Sequence, residues 1–276
     1  MGANVVVVIG VGGMGQAIAR RQGPGRRVLL ADFNEDLLNG TAETLRGEGH
    51  DVVTRPVDVS SRASVAALAD AAAELGSVTE VVHTAGLSPV QAPALAILNV
   101  DLLGVALVLE EFARVIAPGG AGVVISSMAG HMAAPVLDAA QEQALAHTPA
   151  DELLQLPFLT AEAGSAGSYG VSKRANHLRV QAASVPWGER GARINSVSPG
   201  IISTPMGQQE LEGESGKGMR AMIEASAARR VGTPGDIAEA VAFLLGPAST
   251  FITGTDLLVD GGVVAALRSG RLKLSA

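Results

Sequence analysis

Tyr169 and Lys173 are the pair in this chain whose types and spacing suit proton chemistry. Four residues apart on a helix, their side chains leave from one face. A phenol ionises near pH 10, and bringing it to about 7 takes roughly 4 kcal/mol of preferential stabilisation of the phenolate. One positive charge about 4 Å away supplies about 4 kcal/mol at an effective dielectric near 20. An ammonium one helical turn along is therefore large enough an effect to make Tyr169 a base. The same spacing also describes an ordinary surface pair. Two features raise it above that reading: Tyr169 is the only tyrosine in the chain, and a nucleotide-binding pattern precedes it.

That pattern is VVVVIGVGGMGQAIA, an apolar run, a glycine turn and an Ala-rich periodic segment. Gly10, Gly12 and Gly15 form G-x-G-x-x-G, which permits a tight turn and close approach of backbone N–H groups to a pyrophosphate at a helix N-terminus. Asp32 follows twenty-two residues after Gly10, at the end of VLLAD. A carboxylate there accepts hydrogen bonds from both adenosine ribose hydroxyls and repels a 2′-phosphate, which favours NAD over NADP. Asp32 also fits a helix cap before Leu37-Leu38. Arg20 and Arg21 lie roughly 10 Å along the first helix at 1.5 Å per residue, too far to favour NADP. Asp58 and Val59 fit the flank of an adenine, and Asp58 or Ser60 equally fits a cap.

The elements that must position these residues alternate. Residues 5–9, 28–31, 51–55, 80–83, 122–126, 193–197 and 256–259 read as strands. Segments near 13–22, 35–46, 62–75, 95–116, 168–184 and 235–245 read as helices. The strands are nearly all apolar rather than alternating, the pattern of a parallel sheet covered on both faces, and the strand–helix alternation predicts a doubly wound α/β fold. Two stretches break the rhythm. Residues 133–165 hold a helical piece at 138–147, then Pro149 and a second short one. Residues 203–230, polar and Gly-rich with Met206, Met219 and Met222, read as a loop over the sheet's carboxyl edge.

Composition narrows the classes. The net charge of −7 with scattered basic residues excludes a nucleic-acid groove. The absence of cysteine excludes disulfides and thiolate metal sites, and permits a reducing cytosol. The start lacks a signal-peptide n-region and its apolar run is too short to span a membrane. The expectation is a cytoplasmic protein without membrane or nucleic-acid partners. His131, His147 and His177 lack metal-ligand spacing and are expected at surface or cap positions, so no metal is expected. Trp187 reads as core or interface packing. No role is read for the tail, residues 267–276.

Several further motifs complete the pattern: TAG at 84–86, Asn99 in LNVDLLG, ISSMAG at 125–130, YGVSK, RINSVSPG at 193–200, Thr204 and FITGTDLLVDGG at 251–262. With these the chain resembles the short-chain dehydrogenase/reductase family over almost its whole length. The resemblance implies a single Rossmann-fold domain over 1–276 with a parallel seven-stranded sheet of order 3-2-1-4-5-6-7. It implies NAD(P)-dependent hydride transfer with a carbonyl or secondary alcohol, a small-molecule substrate whose apolar surroundings point to a hydrophobic one. It implies that Ser127 hydrogen-bonds the substrate oxygen, Tyr169 exchanges its proton, Lys173 holds the nicotinamide ribose, and Asn99 organises a water behind Lys173. Gly10, Gly12, Gly13, Met14, Gly15, Asp32, Phe33, Asp58, Val59, Thr84, Ala85 and Gly86 would serve the adenosine and pyrophosphate side. Pro199, Gly200, Ile202 and Thr204 would seat the nicotinamide. Family members usually form homodimers or homotetramers.

Three departures stand out. The glycine turn is one residue short and lacks the usual Thr. The family's N-N-A-G is H-T-A-G, with His83 read as a satisfied histidine at a strand end. About thirty extra residues, 133–165, precede YGVSK, as in certain bacterial hydroxysteroid dehydrogenases and carbonyl reductases; they fit a helical flap beside the cleft, a change in subunit packing, or a passive surface excursion. Two other functions use related machinery: an NAD-using epimerase or dehydratase, and a non-catalytic NAD-sensing regulator.

Overall fold

The computed structural model describes residues 3–272; the first two residues and the last four of the tail lie outside that description. The chain runs β1 (Asn4–Ile9), α1 (Gly13–Gln22), β2 (Arg27–Asp32), α2 (Glu35–Gly47), β3 (Asp51–Pro56), α3 (Arg62–Leu75) and β4 (Ser77–His83). It continues through α4 (Ala94–Ile97), a π-helical stretch (Leu98–Leu103), α5 (Gly104–Val115), β5 (Ile116–Ile125), α6 (Met128–Ala133), α7 (Ala139–His147), α8 (Ala150–Leu153) and α9 (Gly164–Glu189). It ends with β6 (Arg193–Pro199), α10 (Pro205–Glu212), α11 (Gly216–Ala225), α12 (Pro234–Leu245), β7 (Asp256–Val259) and α13 (Val263–Arg268).

The seven strands form one sheet of order β3-β2-β1-β4-β5-β6-β7, every pair parallel. The chain winds outward from β1 to β3, then returns to place β4 on β1's other side. That reversal opens a crevice at the carboxyl ends of β1 and β4, where open α/β sheets bind ligands. The apolar strands bury both faces. Val5, Val7 and Ile9 join the core beneath α3, α5 and α9, whereas Val6 and Val8 join the one beneath α1 and α2. A third cluster packs Val123, Ile125 and Val197 against Ile237, Val241 and Leu244 of α12. Trp187 is fully buried and its indole N–H donates to the Leu109 carbonyl at 3.0 Å. A methyl on Gly122 would sit 2.7 Å from that indole, so the glycine makes room for the ring.

Several boundaries moved. β5 begins at Ile116, six residues before the predicted strand, because Val78 pairs with Ile116 before a register shift brings Glu80 to Ala121. Residues 203–230 are two helices rather than a loop. Thr204 caps α10 by accepting from the Gly207 N–H, with Pro205 at the first helical position. In the extra segment a capping box between Asp138 and Gln141 starts α7. Leu145, Ala150 and Leu153 are buried in the same core as α5 and α9. Arg179 of α9 donates to the Leu145 and Thr148 carbonyls at 3.1 and 2.9 Å, and Arg62 bridges Asp151 to Glu110 and Glu111. The segment is thus built onto the flank of α5 and α9. Among the described residues, no helix is long and apolar enough to cross a membrane.

Candidate active site

The glycine turn fills the crevice between β1 and β4. Gly10 has φ +92°, and a methyl there would lie 2.4 Å from the Ala85 nitrogen, so only glycine fits the turn. A methyl on Gly15 would lie 2.0 Å from the Gly10 carbonyl oxygen, which is how closely α1 packs on the turn. Gly12 is different: a methyl there meets nothing within 4 Å, and α1 begins on it without a side-chain cap. Two glycines therefore shape the turn, and the third leaves open the space before a helix N-terminus, where backbone N–H groups suit an anion. The residues present fit a dinucleotide.

Asp32 ends β2 beside this space. Its carboxylate accepts from the Val11 N–H at 2.7 Å and the Asn34 N–H at 2.9 Å, leaving lone pairs for ribose hydroxyls. The helix cap belongs to Asn34, not Asp32. Phe33 is largely exposed beside it. Arg20 and Arg21 are engaged by Glu48 and Glu239 at 2.6 and 2.8 Å, away from Asp32.

Other predicted cofactor residues also have structural contacts. Thr84 donates its hydroxyl to the Gly10 carbonyl at 2.7 Å, and the Ala85 N–H donates to Ile9, so this turn braces the glycine loop. Asp58 accepts from the Ser60 N–H and hydroxyl, closing a local turn, and Val59 is buried against Gly104. Met14 packs partly against the α12 core. Gly200 lies on the Asp260 backbone, Ile202 is buried, and the Thr204 methyl would contact a Cβ on Gly13 at 3.1 Å. That last contact sets the start of α10 against the glycine turn, opposite the Pro199-Gly200 turn. The cavity of about 210 Å³ under α11, lined by Gly200, Ile223 and Val259 among others, has neither Ser127 nor Tyr169 on its wall.

Across the crevice, α9 carries Tyr169 and Lys173. α6 lies directly on it: a methyl on Gly130 would be 2.8 Å from the Lys173 carbonyl oxygen, and the Ser126 hydroxyl donates to that carbonyl at 2.8 Å. Ser127, the next residue, caps α6 by accepting from the Ala129 N–H, and its hydroxyl acts to lower the pKa of the Tyr169 phenol. The Lys173 ammonium sits 5.3 Å from the Tyr169 ring centre.

Asn99 does not join this group through its side chain, which donates to the Leu95 carbonyl at 2.7 Å. The π-helical stretch instead turns Asp101 inward, and its carboxylate meets Lys173 Nζ at 2.9 Å with both side chains buried. Asp101 was missed because ordinary helical periodicity does not describe a π turn. A signal was present: it is the lone acid in the run LAILNVDLLGVALVL.

The pair changes the electrostatics expected from Tyr169 and Lys173 alone. Burial drives Asp101 upward against the pull of Lys173. Lys173, though burial opposes its charge, is held above its ordinary value by Asp101 and Tyr169. Tyr169 is raised rather than lowered. Burial is the chief cause; Lys173 and Ser127 oppose it, whereas Asp101 and Glu210 of α10 reinforce it.

Three histidines are placed differently from expectation. His83 is fully buried and neither ring nitrogen has a partner among the described residues, so it is not a satisfied histidine. Burial, helped by the Lys173 charge, pushes it down to about 3. His131 and His177 converge with Asp256 at the start of β7. His131 Nε2 lies 2.7 Å from one Asp256 oxygen, and Ser196 and Ser198 donate to the other. His177 Nε2 meets the Ser198 hydroxyl at 2.8 Å, and burial lowers this ring to about 4.

The depressed folded-state value of His83 carries a pH signature. The unfolded chain binds its proton below about pH 6.5 and the folded chain does not until about pH 3, so His83 leaves stability intact above pH 6.5 and erodes it as pH falls. The slope is about 1.4 kcal/mol per pH unit within that window. His83→Leu is expected to flatten the acid limb of a denaturation-versus-pH curve by that amount, with little loss at pH 8, since an unpaired ring is exchanged for an apolar side chain. An unchanged acid limb would contradict the assignment.

Comparison with known proteins places these features in a family context. A family model described as enoyl-(acyl carrier protein) reductase matches residues 10–148 and 152–264. A short-chain dehydrogenase/reductase of Alternaria brassicicola is 44% identical over 268 residues, covering 97% of this chain and 98% of that protein. The D-threitol dehydrogenase of Mycolicibacterium smegmatis is 30% identical over 269 residues, covering 94% of this chain and 92% of its own length. Among solved structures, levodione reductase superposes with a TM-score of 0.77 at 25% identity, covering 96% of this chain and 99% of that one.

Proposed function

The chain belongs to the short-chain dehydrogenase/reductase family, and we propose that it transfers a hydride between NAD(H) and the carbonyl carbon of a ketone, or the matching secondary alcohol, with Tyr169 as proton donor and acceptor. What supports this reading is the Lys173 ammonium 5.3 Å from the Tyr169 ring centre, with Ser127 acting on the phenol, in a fold whose glycine turn leaves the space at Gly12 open. A bound nicotinamide supplies or accepts the hydride. Ser127 holds the substrate oxygen, its hydroxyl able to donate or accept. Tyr169 gives that oxygen its proton in reduction and takes it in oxidation, help worth about 10²–10⁴-fold in rate. Lys173 supports the phenolate and the nicotinamide ribose.

Gly12, Gly13 and Met14 at the α1 N-terminus hold the pyrophosphate, and Asp32 with Phe33 the adenosine. Gly86 with Pro199, Gly200, Ile202 and Thr204 shapes the nicotinamide side. Asp32 favours NAD over NADP, because a 2′-phosphate would bring negative charge to its carboxylate, and Arg20 and Arg21 are paired elsewhere. Met206, Met219 and Met222 on α10 and α11 favour a hydrophobic ketone. The chain works as one domain, in the cytosol, as a homodimer or homotetramer.

The test is a panel of structurally varied ketones assayed with NADH and NADPH in parallel. The expected result is reduction of hydrophobic ketones with kcat/KM for NADH at least about ten-fold above that for NADPH, about 1.4 kcal/mol of discrimination. Equal or better use of NADPH would overturn the cofactor assignment, and no turnover despite tight nucleotide binding would overturn the enzymatic one.

A further inference from the structure

The buried counter-ion of Lys173 has a consequence for the proton that the proposed reaction needs. Asp101 is fully enclosed; one carboxylate oxygen is 2.9 Å from Lys173 Nζ and the other accepts from the Leu87 N–H at 2.8 Å. Its backbone carbonyl is held by the Asn176 amide at 3.0 Å, once that amide is turned nitrogen inward. Gly86 seals the pair: a methyl there would lie 3.1 Å from the carboxylate and 3.3 Å from the ammonium. The contact is therefore direct and tightly fixed.

Among the described residues, the charges that bear on Tyr169 can be named. Lys173 lies on its own helix, Asp101 on the π-helical stretch and Glu210 on α10, with the neutral Ser127 hydroxyl at the start of α6. His83 at the end of β4 and His177 one turn along α9 bear on Lys173, and burial keeps both uncharged at neutral pH. Arg174 points outward and pairs with Glu142 at 2.7 Å. The phenol thus faces not a free ammonium but an ammonium whose charge a carboxylate already meets, with a second carboxylate across the cleft.

We infer that Asp101 is a positioning residue: by claiming the Lys173 ammonium it keeps the Tyr169 phenol proton-bearing through neutral and mildly alkaline pH, ready to give that proton to a carbonyl oxygen. The inference rests on the hydride-transfer reading for its meaning in catalysis, but its electrostatic content is independent of turnover. Asp101 acts through Lys173 and on Tyr169, and touches no substrate.

The chain's single tyrosine makes the test clean. Ionisation of Tyr169 is followed by the near-ultraviolet absorbance of tyrosinate, without added nucleotide, in wild type and in Asp101→Asn, with circular dichroism recorded alongside. The wild-type midpoint is expected above the ordinary value of about 10. Asp101→Asn is expected to lower it by about one to two pH units. The alkaline limb of ketone reduction and the alkaline onset of alcohol oxidation should move down by the same interval, which a purely structural role for Asp101 would not produce. A wild-type midpoint below about 10 overturns the inference whether or not the variant folds. So does a folded variant that titrates with the wild type. If no ketone is turned over yet the midpoints separate as stated, the proposed activity fails and the electrostatic role of Asp101 stands.

Discussion

Tyr169→Phe is expected to lower kcat for ketone reduction by about 10²–10⁴-fold while leaving NADH affinity within a few-fold of wild type. The substitution removes one hydroxyl and keeps the ring, so the packing of α9 on α6 is preserved. What is lost, on the proposed reading, is the group that exchanges a proton with the substrate oxygen. On the proposed reading the glycine turn and Asp32 carry dinucleotide binding, so the missing oxygen is expected to leave it unaffected. Steady-state kinetics with nucleotide binding measured by fluorescence separates the two effects. A variant that keeps more than about a tenth of wild-type kcat would mean that another group carries the proton, since acid–base help from Tyr169 should exceed that margin.

Lys173→Met is expected to be costly in a different quantity, stability. It removes the ammonium and leaves the Asp101 carboxylate buried, with only the Leu87 N–H to satisfy it. Breaking one side of a buried ion pair costs about 3–5 kcal/mol. The loss should depend on pH in a defined direction. Burial already raises Asp101, and without Lys173 its folded-state value climbs further above that of the unfolded chain. The folded variant then holds a proton that the unfolded chain has released, so its stability is greatest below the unfolded value of about 4 and falls as pH rises through the folded one. Denaturant titrations should therefore show the gap between variant and wild type narrowing toward pH 5. A gap of less than about 1 kcal/mol at pH 8, or one independent of pH, would show that the pair is not the closed contact described.

Much of the fold was legible because a strand covered on both faces must be apolar throughout. VVVVI and VLLA could not be surface strands, and all seven predicted strands lie in the sheet. The glycine turn was legible from its spacing between an apolar run and a periodic segment, with Gly10 and Gly15 each solving a local steric problem, and Tyr169 with Lys173 because both leave one face of a regular helix. What was not legible depends on partners from distant elements. Asp101 faces Lys173 where α4 widens into a π turn before Gly104, whereas the family resemblance pointed to Asn99 in the same run. The sign of the Tyr169 shift followed that error, since a free ammonium lowers a phenol and one met by a carboxylate does not overcome burial. His131, His177 and Asp256 come from α6, α9 and β7, and nothing in their sequence spacing announces that they meet. The helices at 205–212 and 216–225 were hidden by glycines, which close packing on Ile202 and Leu211 requires.

The central claim is that a hydride passes directly from a nicotinamide to a substrate carbon in the crevice between β1 and β4. The most direct measurement uses NADH deuterated at the transferring C4 position with a ketone found in the panel, followed by mass spectrometry and NMR of the alcohol. The account predicts one deuterium on the carbinol carbon, none lost to water, and no such product with Tyr169→Phe at matched times. Deuterium retained on the nucleotide, or exchanged into solvent, while substrate is converted would contradict it.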